Sequence, residues 1–94
     1  MVYIDGVRFG TDYSGRRVIT ELRWTNTFNA TGTNTCTKRE MINFINANPN
    51  SAKTKYYRYG SWHVGEDVRV VDNAYLRTDA NNIKADNLGE LPEF

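Results

Sequence analysis

The chain has 94 residues, of which 39% are hydrophobic and 13% aromatic; 12 basic and 11 acidic side chains leave a formal net charge of +1. That size fits one domain over residues 1–94, with a small core in which large rings carry much of the buried area. The near-neutral charge argues against a dedicated nucleic-acid coat. The lone cysteine, Cys36, excludes a framework of intramolecular disulfides, and no apolar run is long enough to span a membrane.

Residues 2–9 are β-prone, interrupted by Asp5-Gly6, and the turn-rich GTDYSG follows at 10–15. This opening lacks the basic and apolar regions of a signal peptide, so the expected location is the cytoplasm of a bacterial host cell. Residues 17–25 alternate, with Val18, Thr20, Leu22 and Trp24 on one face and Ile19, Glu21 and Arg23 on the other. Two such runs around a glycine-bearing loop predict an antiparallel hairpin. The polar NTFNATGTNT at 26–35 has no helical period and reads as loop or irregular edge.

Thr37-Lys38-Arg39-Glu40 is a capping box, with Cys36 before it and Met41 after it placed for a hydrophobic staple. Met41, Ile42, Phe44 and Ile45 then form a stripe at helical spacing, and Asn48-Pro49 stops it. The predicted helix is Lys38–Ala47. Residues 50–54 read as a linker and 55–59 as an aromatic strand. Residues 60–65 read as a glycine-bracketed turn or loop, and 67–72 (DVRVVD) as a further strand. YLRT at 75–78 is β-prone, Asp79 to Asn82 form a turn, and Asn87 with Glu90 predicts a single capped turn before Pro92. The sum is a small α+β domain, an antiparallel sheet of two hairpins with one central helix packed on it.

The tail is the distinctive part. YLRT at 75–78, Asp79, ADNL at 85–88 and ELP at 90–92 resemble the ending of a family of small bacterial and phage proteins, the domain-of-unknown-function family 3892. Tyr3-Ile4, Val7-Arg8, residues 17–24, the helix and residues 67–71 are similar to that family's other elements in order. The loop at 26–36 is longer than usual there, and Leu88-Gly89 and Glu93-Phe94 depart from its pattern. The resemblance implies bacterial or phage origin and assigns no functional residues.

Catalytic and metal chemistry find no constellation. With one histidine, His63, and one cysteine, a His/Cys zinc site cannot be assembled within one chain. Glu66 and Asp67 are neighbours, which a strand points to opposite faces. There is no P-loop, GxGxxG, GxSxG or EF-hand spacing. No catalytic residue, metal ligand or cofactor is assigned, and an enzyme is not expected.

Three groups are candidates for binding. Tyr56, Tyr57, Tyr59 and Trp62 cluster with Lys55, Arg58 and His63 between them; rings stack on bases and arginine holds phosphate, but tyrosines in a short strand also simply pack a sheet. Arg77, Asp79, Asp86 and Asn87 surround the tail turns, where they serve either a polar ligand or Asx turns and an internal ion pair. Phe28, in the loop, is either a partner anchor or plain surface.

The expected function is a non-enzymatic binding protein, a homo-oligomer that sequesters a nucleotide-type small molecule in the manner of phage anti-defence sponges. Its ligand-binding residues are Tyr57, Arg58, Tyr59, Trp62, His63, Arg77 and Asp79. The alternative is a module that inhibits or adapts a host protein through Phe28 and Trp62. Nucleic-acid binding through Arg16, Arg17, Lys53, Lys55 and Arg58 is the less favoured reading.

Overall fold

The first 25 residues build the centre of a sheet. In the computed structural model, which describes residues 1–79 and 83–94, β1 (Val2–Thr11) and β2 (Arg17–Thr25) form the expected antiparallel hairpin. Asp12 shapes its turn, accepting from the amides of Ser14 and Arg16 at 2.9 Å each. The ladder slips twice. Asp5 is an extra residue in β1, between the Ile4–Trp24 and Gly6–Arg23 pairs, and Thr20 is an extra residue in β2, between Arg8–Glu21 and Phe9–Ile19. Each bulge shifts the alternation by one residue. Ile19 therefore joins Leu22 in the core, where a strict period of two puts it on the opposite face.

The sheet order is β3-β2-β1-β4-β5. β3 (Asn34–Thr37) pairs with β2, so the end of the presumed loop is an edge strand. α1 (Lys38–Ala47) follows at once with the predicted bounds. Its capping box is complete, with the Glu40 amide donating to Thr37 Oγ1 at 3.1 Å and the Thr37 amide to Glu40 Oε1 at 2.9 Å. At its far end the Asn48 amide bonds the Phe44 carbonyl at 2.9 Å, and Pro49 blocks another turn. The helix is the crossover that lets β4 (Ala52–Arg58) run parallel to β1, with Val2 beside Ala52 and Ile4 beside Thr54. The sheet is thus mixed rather than antiparallel.

Description as two hairpins also needs correction. β5 (Ser61–Asp67) occupies the stretch expected to be loop and pairs antiparallel with β4. The turn is only Tyr59-Gly60, both with positive φ (53° and 79°), the geometry that suits a two-residue hairpin. Gly65 lies inside the strand, not in a turn. The strand predicted over 67–72 is interrupted at buried Val68, whose amide donates to the Ala52 carbonyl at 3.0 Å. β6 (Arg69–Val71) and β7 (Tyr75–Arg77) then form a separate two-stranded hairpin.

One apolar layer unites these parts. Ile4, Val7, Ile19 and Leu22 of the sheet meet Met41, Ile42 and Ile45 of α1, and Val68, Leu76 and Leu88 close the cluster. Cys36 and Met41, the expected staple, line one apolar depression with Trp24 and Phe44. The tail is pinned by Asp86, whose carboxylate accepts from the Ile19 amide (2.9 Å), Lys38 Nζ (3.0 Å) and the Leu76 amide (2.9 Å). The predicted turn at Asn87 is an Asx turn rather than helical, with Asn87 Oδ1 accepting from the Gly89 amide at 3.1 Å. The turn predicted from Asp79 falls on residues 80–82, outside the described residues. Finally the chain returns to β1, with Val7 N–H donating to the Pro92 carbonyl (2.9 Å) and Phe94 N–H to the Val7 carbonyl (3.1 Å).

Candidate functional site

That return creates a fork. β4 covers the edge of β1 only at residues 2–4, and the tail covers it at Val7. Between β4 and the tail opens a cleft of about 580 Å3. Asp5, Arg23 and Thr31 line it, along with Tyr56, Tyr57, Arg58 and Trp62 of the β4–β5 hairpin and Glu90 and Pro92 of the tail. Its volume lies within the range of small-molecule sites. A smaller depression of about 270 Å3 shares Tyr56, Arg58 and Glu90 with it and extends to Thr54, Gly65 and Leu88.

The cleft is set by the Asp5 bulge. Asp5 is buried, and its carboxylate accepts from Arg23 Nε at 2.8 Å and from the Gly32 amide at 2.7 Å. Arg23 Nη2 also donates to the Asp5 carbonyl at 3.1 Å. The pair neutralises itself and fixes the guanidinium plane beside the cleft. A Cβ on Gly32 would stand 2.7 Å from Asp5 Oδ1, so only glycine lets the loop come this close.

Lys55 is wholly buried, which is rare for lysine. Its Nζ donates to the carbonyls of Thr27 (3.0 Å), Phe28 (2.9 Å) and Ala30, and lies 4.0 Å from the Trp62 ring centroid. The ammonium thus clamps the loop at 26–33 onto the sheet and the indole onto the same spot. Burial pushes its pKa below the ordinary lysine value; Asp5 opposes that shift and Arg23 adds to it. No buried side-chain polar atom among the described residues lacks a partner.

The predicted ligand residues divide in two. Tyr57, Arg58 and Trp62 come together on the cleft, with the Tyr57 and Trp62 rings edge to face at 5.3 Å. The Arg58 guanidinium lies 5.2 Å from the Tyr56 ring and has no carboxylate partner among the described residues. His63 is not on the cleft lining; it is stacked on Tyr56 at 5.4 Å, with Nε2 3.1 Å from the Arg58 carbonyl. Tyr59 is in the hairpin turn, 94% exposed, and does not line the cleft. Arg77 and Asp79 form a bidentate pair at 2.8 and 2.7 Å, and Arg77 Nη1 also donates to the Ala85 carbonyl at 3.0 Å. They shape the tail and stand apart from the cleft.

Phe28 folds back onto the sheet, half-buried, with its ring edge to face with Tyr3 at 5.3 Å. The basic set considered for nucleic acid is dispersed. Lys55 is buried, Lys53 pairs with Asp67 at 3.0 Å, Arg17 pairs with Glu93 at 3.3 Å, and Arg16 donates to the Lys84 carbonyl at 3.1 Å. Asp5, Arg23, Thr31 and Glu90 were not among the predicted site residues. The one local signal was the Asp5-Gly6 break in a β-prone run.

Among the described residues, no group of three or more His, Cys, Asp and Glu side chains is placed to hold a metal ion, and no helix is long and apolar enough to cross a membrane. No curated protein and no solved structure matches the chain. The model of a family described as "Protein of unknown function (DUF3892)" matches residues 4–92, nearly the whole chain. The fold and its pinned tail are therefore those of a member of that family, to which this chain belongs.

Proposed function

We propose that this is a non-enzymatic binding protein whose fork cleft takes a nucleotide-type small molecule. One observation carries the reading. Three aromatic side chains and an arginine without a carboxylate partner line a single cleft of ligand size, Tyr57 and Trp62 from one face of the β4–β5 hairpin and Tyr56 and Arg58 from the other. Trp62 is held by Lys55 on the cleft wall, where it offers a base a fixed stacking surface. Arg58, on the same lining, supplies the phosphate contact. Asp5 and Arg23 compensate each other, and of the two remaining charges on the lining, Arg58 and Glu90, Arg58 is the one that meets an anion. Sequestration, of the kind phage anti-defence proteins perform, is the role that fits a binder without a catalytic set.

The cleft is built by one chain. Binding there therefore needs no pocket between subunits.

The test is a thermal-shift panel of mono-, di- and cyclic nucleotides. A ligand at about 100 times its Kd stabilises by about 2.7 kcal/mol, roughly 10–20 °C in a chain of this size. At least one nucleotide is expected to raise Tm, and Arg58→Ala and Trp62→Ala to abolish the rise. If none raises it at millimolar concentration, the proposal fails.

A further inference from the structure

We infer that the free edge of β5 pairs with the same strand of a second copy, antiparallel, so that one sheet runs through both. This goes beyond the ligand reading and does not need it: the edge argument shares Arg58 with the cleft but holds whether or not the cleft takes a ligand.

Sheet edges are usually short, charged, kinked or covered. At one edge, β3 has four residues and runs straight into α1. The other edge is longer. β5 has seven residues and no proline or lysine; its acidic residues and its one register irregularity lie at the Gly65–Asp67 end, and among the described residues it is paired only with β4, which leaves Ser61–Val64 regular and open. Its middle is Trp62-His63-Val64, and Val64 is 50% exposed. Such an edge offers unpaired backbone donors and acceptors to another strand.

Charge selects the occupant. At the turn end of the hairpin stands Arg58, paired across the ladder with Ser61; at the other end of β5 stands Glu66. Among the described residues neither side chain has an ion-pair partner. A two-fold axis through the middle of β5 carries the Arg58 end of one copy to the Glu66 end of the other, twice over. A parallel arrangement would put like charges together. The self-paired edge also covers the exposed Val64 side chain.

Sedimentation equilibrium of the full chain over a wide concentration range tests this. The expected mass is twice the 10.8 kDa of the monomer. Val64→Lys, on an exposed position that leaves the core intact, is expected to weaken the dimer at least about tenfold by placing a charge on the edge. Glu66→Arg is expected to do the same, and the double variant Glu66→Arg/Arg58→Glu to restore it, with circular dichroism confirming that each variant folds. A wild-type monomer at the highest concentration overturns the inference, as does a dimer indifferent to Val64→Lys. A chain that is monomeric alone but joins a different protein through this edge overturns it too.

Discussion

Replacing Lys55 with methionine isolates what a buried ammonium does here. The change keeps the apolar stem and removes only the group that binds the carbonyls of Thr27, Phe28 and Ala30. Hydrogen bonds to a charged group contribute about 1.5–3 kcal/mol each. Three such bonds are lost, but the freed carbonyls reach water once the loop lifts, and the desolvation cost of the ammonium disappears. The expected net loss is about 2–4 kcal/mol. A domain of this size has roughly 5–14 kcal/mol in total, so the variant still folds, with Tm lowered by roughly 10–30 °C. Urea unfolding gives the global value. Hydrogen exchange gives the local one, with the Gly32 amide, now bonded to Asp5, losing protection first. Unchanged or higher stability, or a Gly32 amide as protected as before, would refute the view that Lys55 holds the loop.

Three further outcomes follow from single contacts. Gly32→Ala drives a Cβ to 2.7 Å from Asp5 Oδ1, and urea unfolding should show a loss of about 2–3 kcal/mol as the Asp5 network opens. Thr37→Ala removes the cap of α1 and should cost about 1 kcal/mol in the same assay. Burial, with lesser help from the Glu40 and Glu21 carboxylates, pushes the Cys36 thiol from 9.0 up to about 11. Near pH 8 its thiolate fraction is then about a hundredfold below that of an unfolded chain, so alkylation in the folded state should be slower by a similar factor. Because the unfolded thiol deprotonates first, Cys36 contributes stability below pH 9.0 that is lost as pH rises toward about 11.

Local chemistry was legible in the sequence, and long-range chemistry was not. The helix bounds followed from a capping box and a proline, both short-range devices. The β1–β2 hairpin followed from two β-prone runs, but no pattern of period two reveals the bulges at Asp5 and Thr20, so the face of Ile19 came out reversed. β5 was hidden because Gly60 and Gly65 look alike in the sequence, while only Gly60 turns the chain. The parallel β1–β4 pairing joins residues fifty positions apart, which no local window sees. At the cleft, Tyr57, Arg58 and Trp62 lie on one lining, as their clustering in sequence suggested. Asp5 meets Arg23 eighteen residues away, and Lys55 meets its carbonyls 25 to 28 residues away. Those partners come together only through the sheet register. Arg77 and Asp79 cluster just as tightly in sequence, yet they serve each other.

Native mass spectrometry of the protein purified from a bacterial host tests the central claim most directly. The account predicts a population carrying an extra few hundred daltons per chain, identified as a nucleotide by fragmentation and lost in the Trp62→Ala variant. A bare chain that also takes up none of the nucleotides offered to it at millimolar concentration would contradict the assignment of the fork cleft.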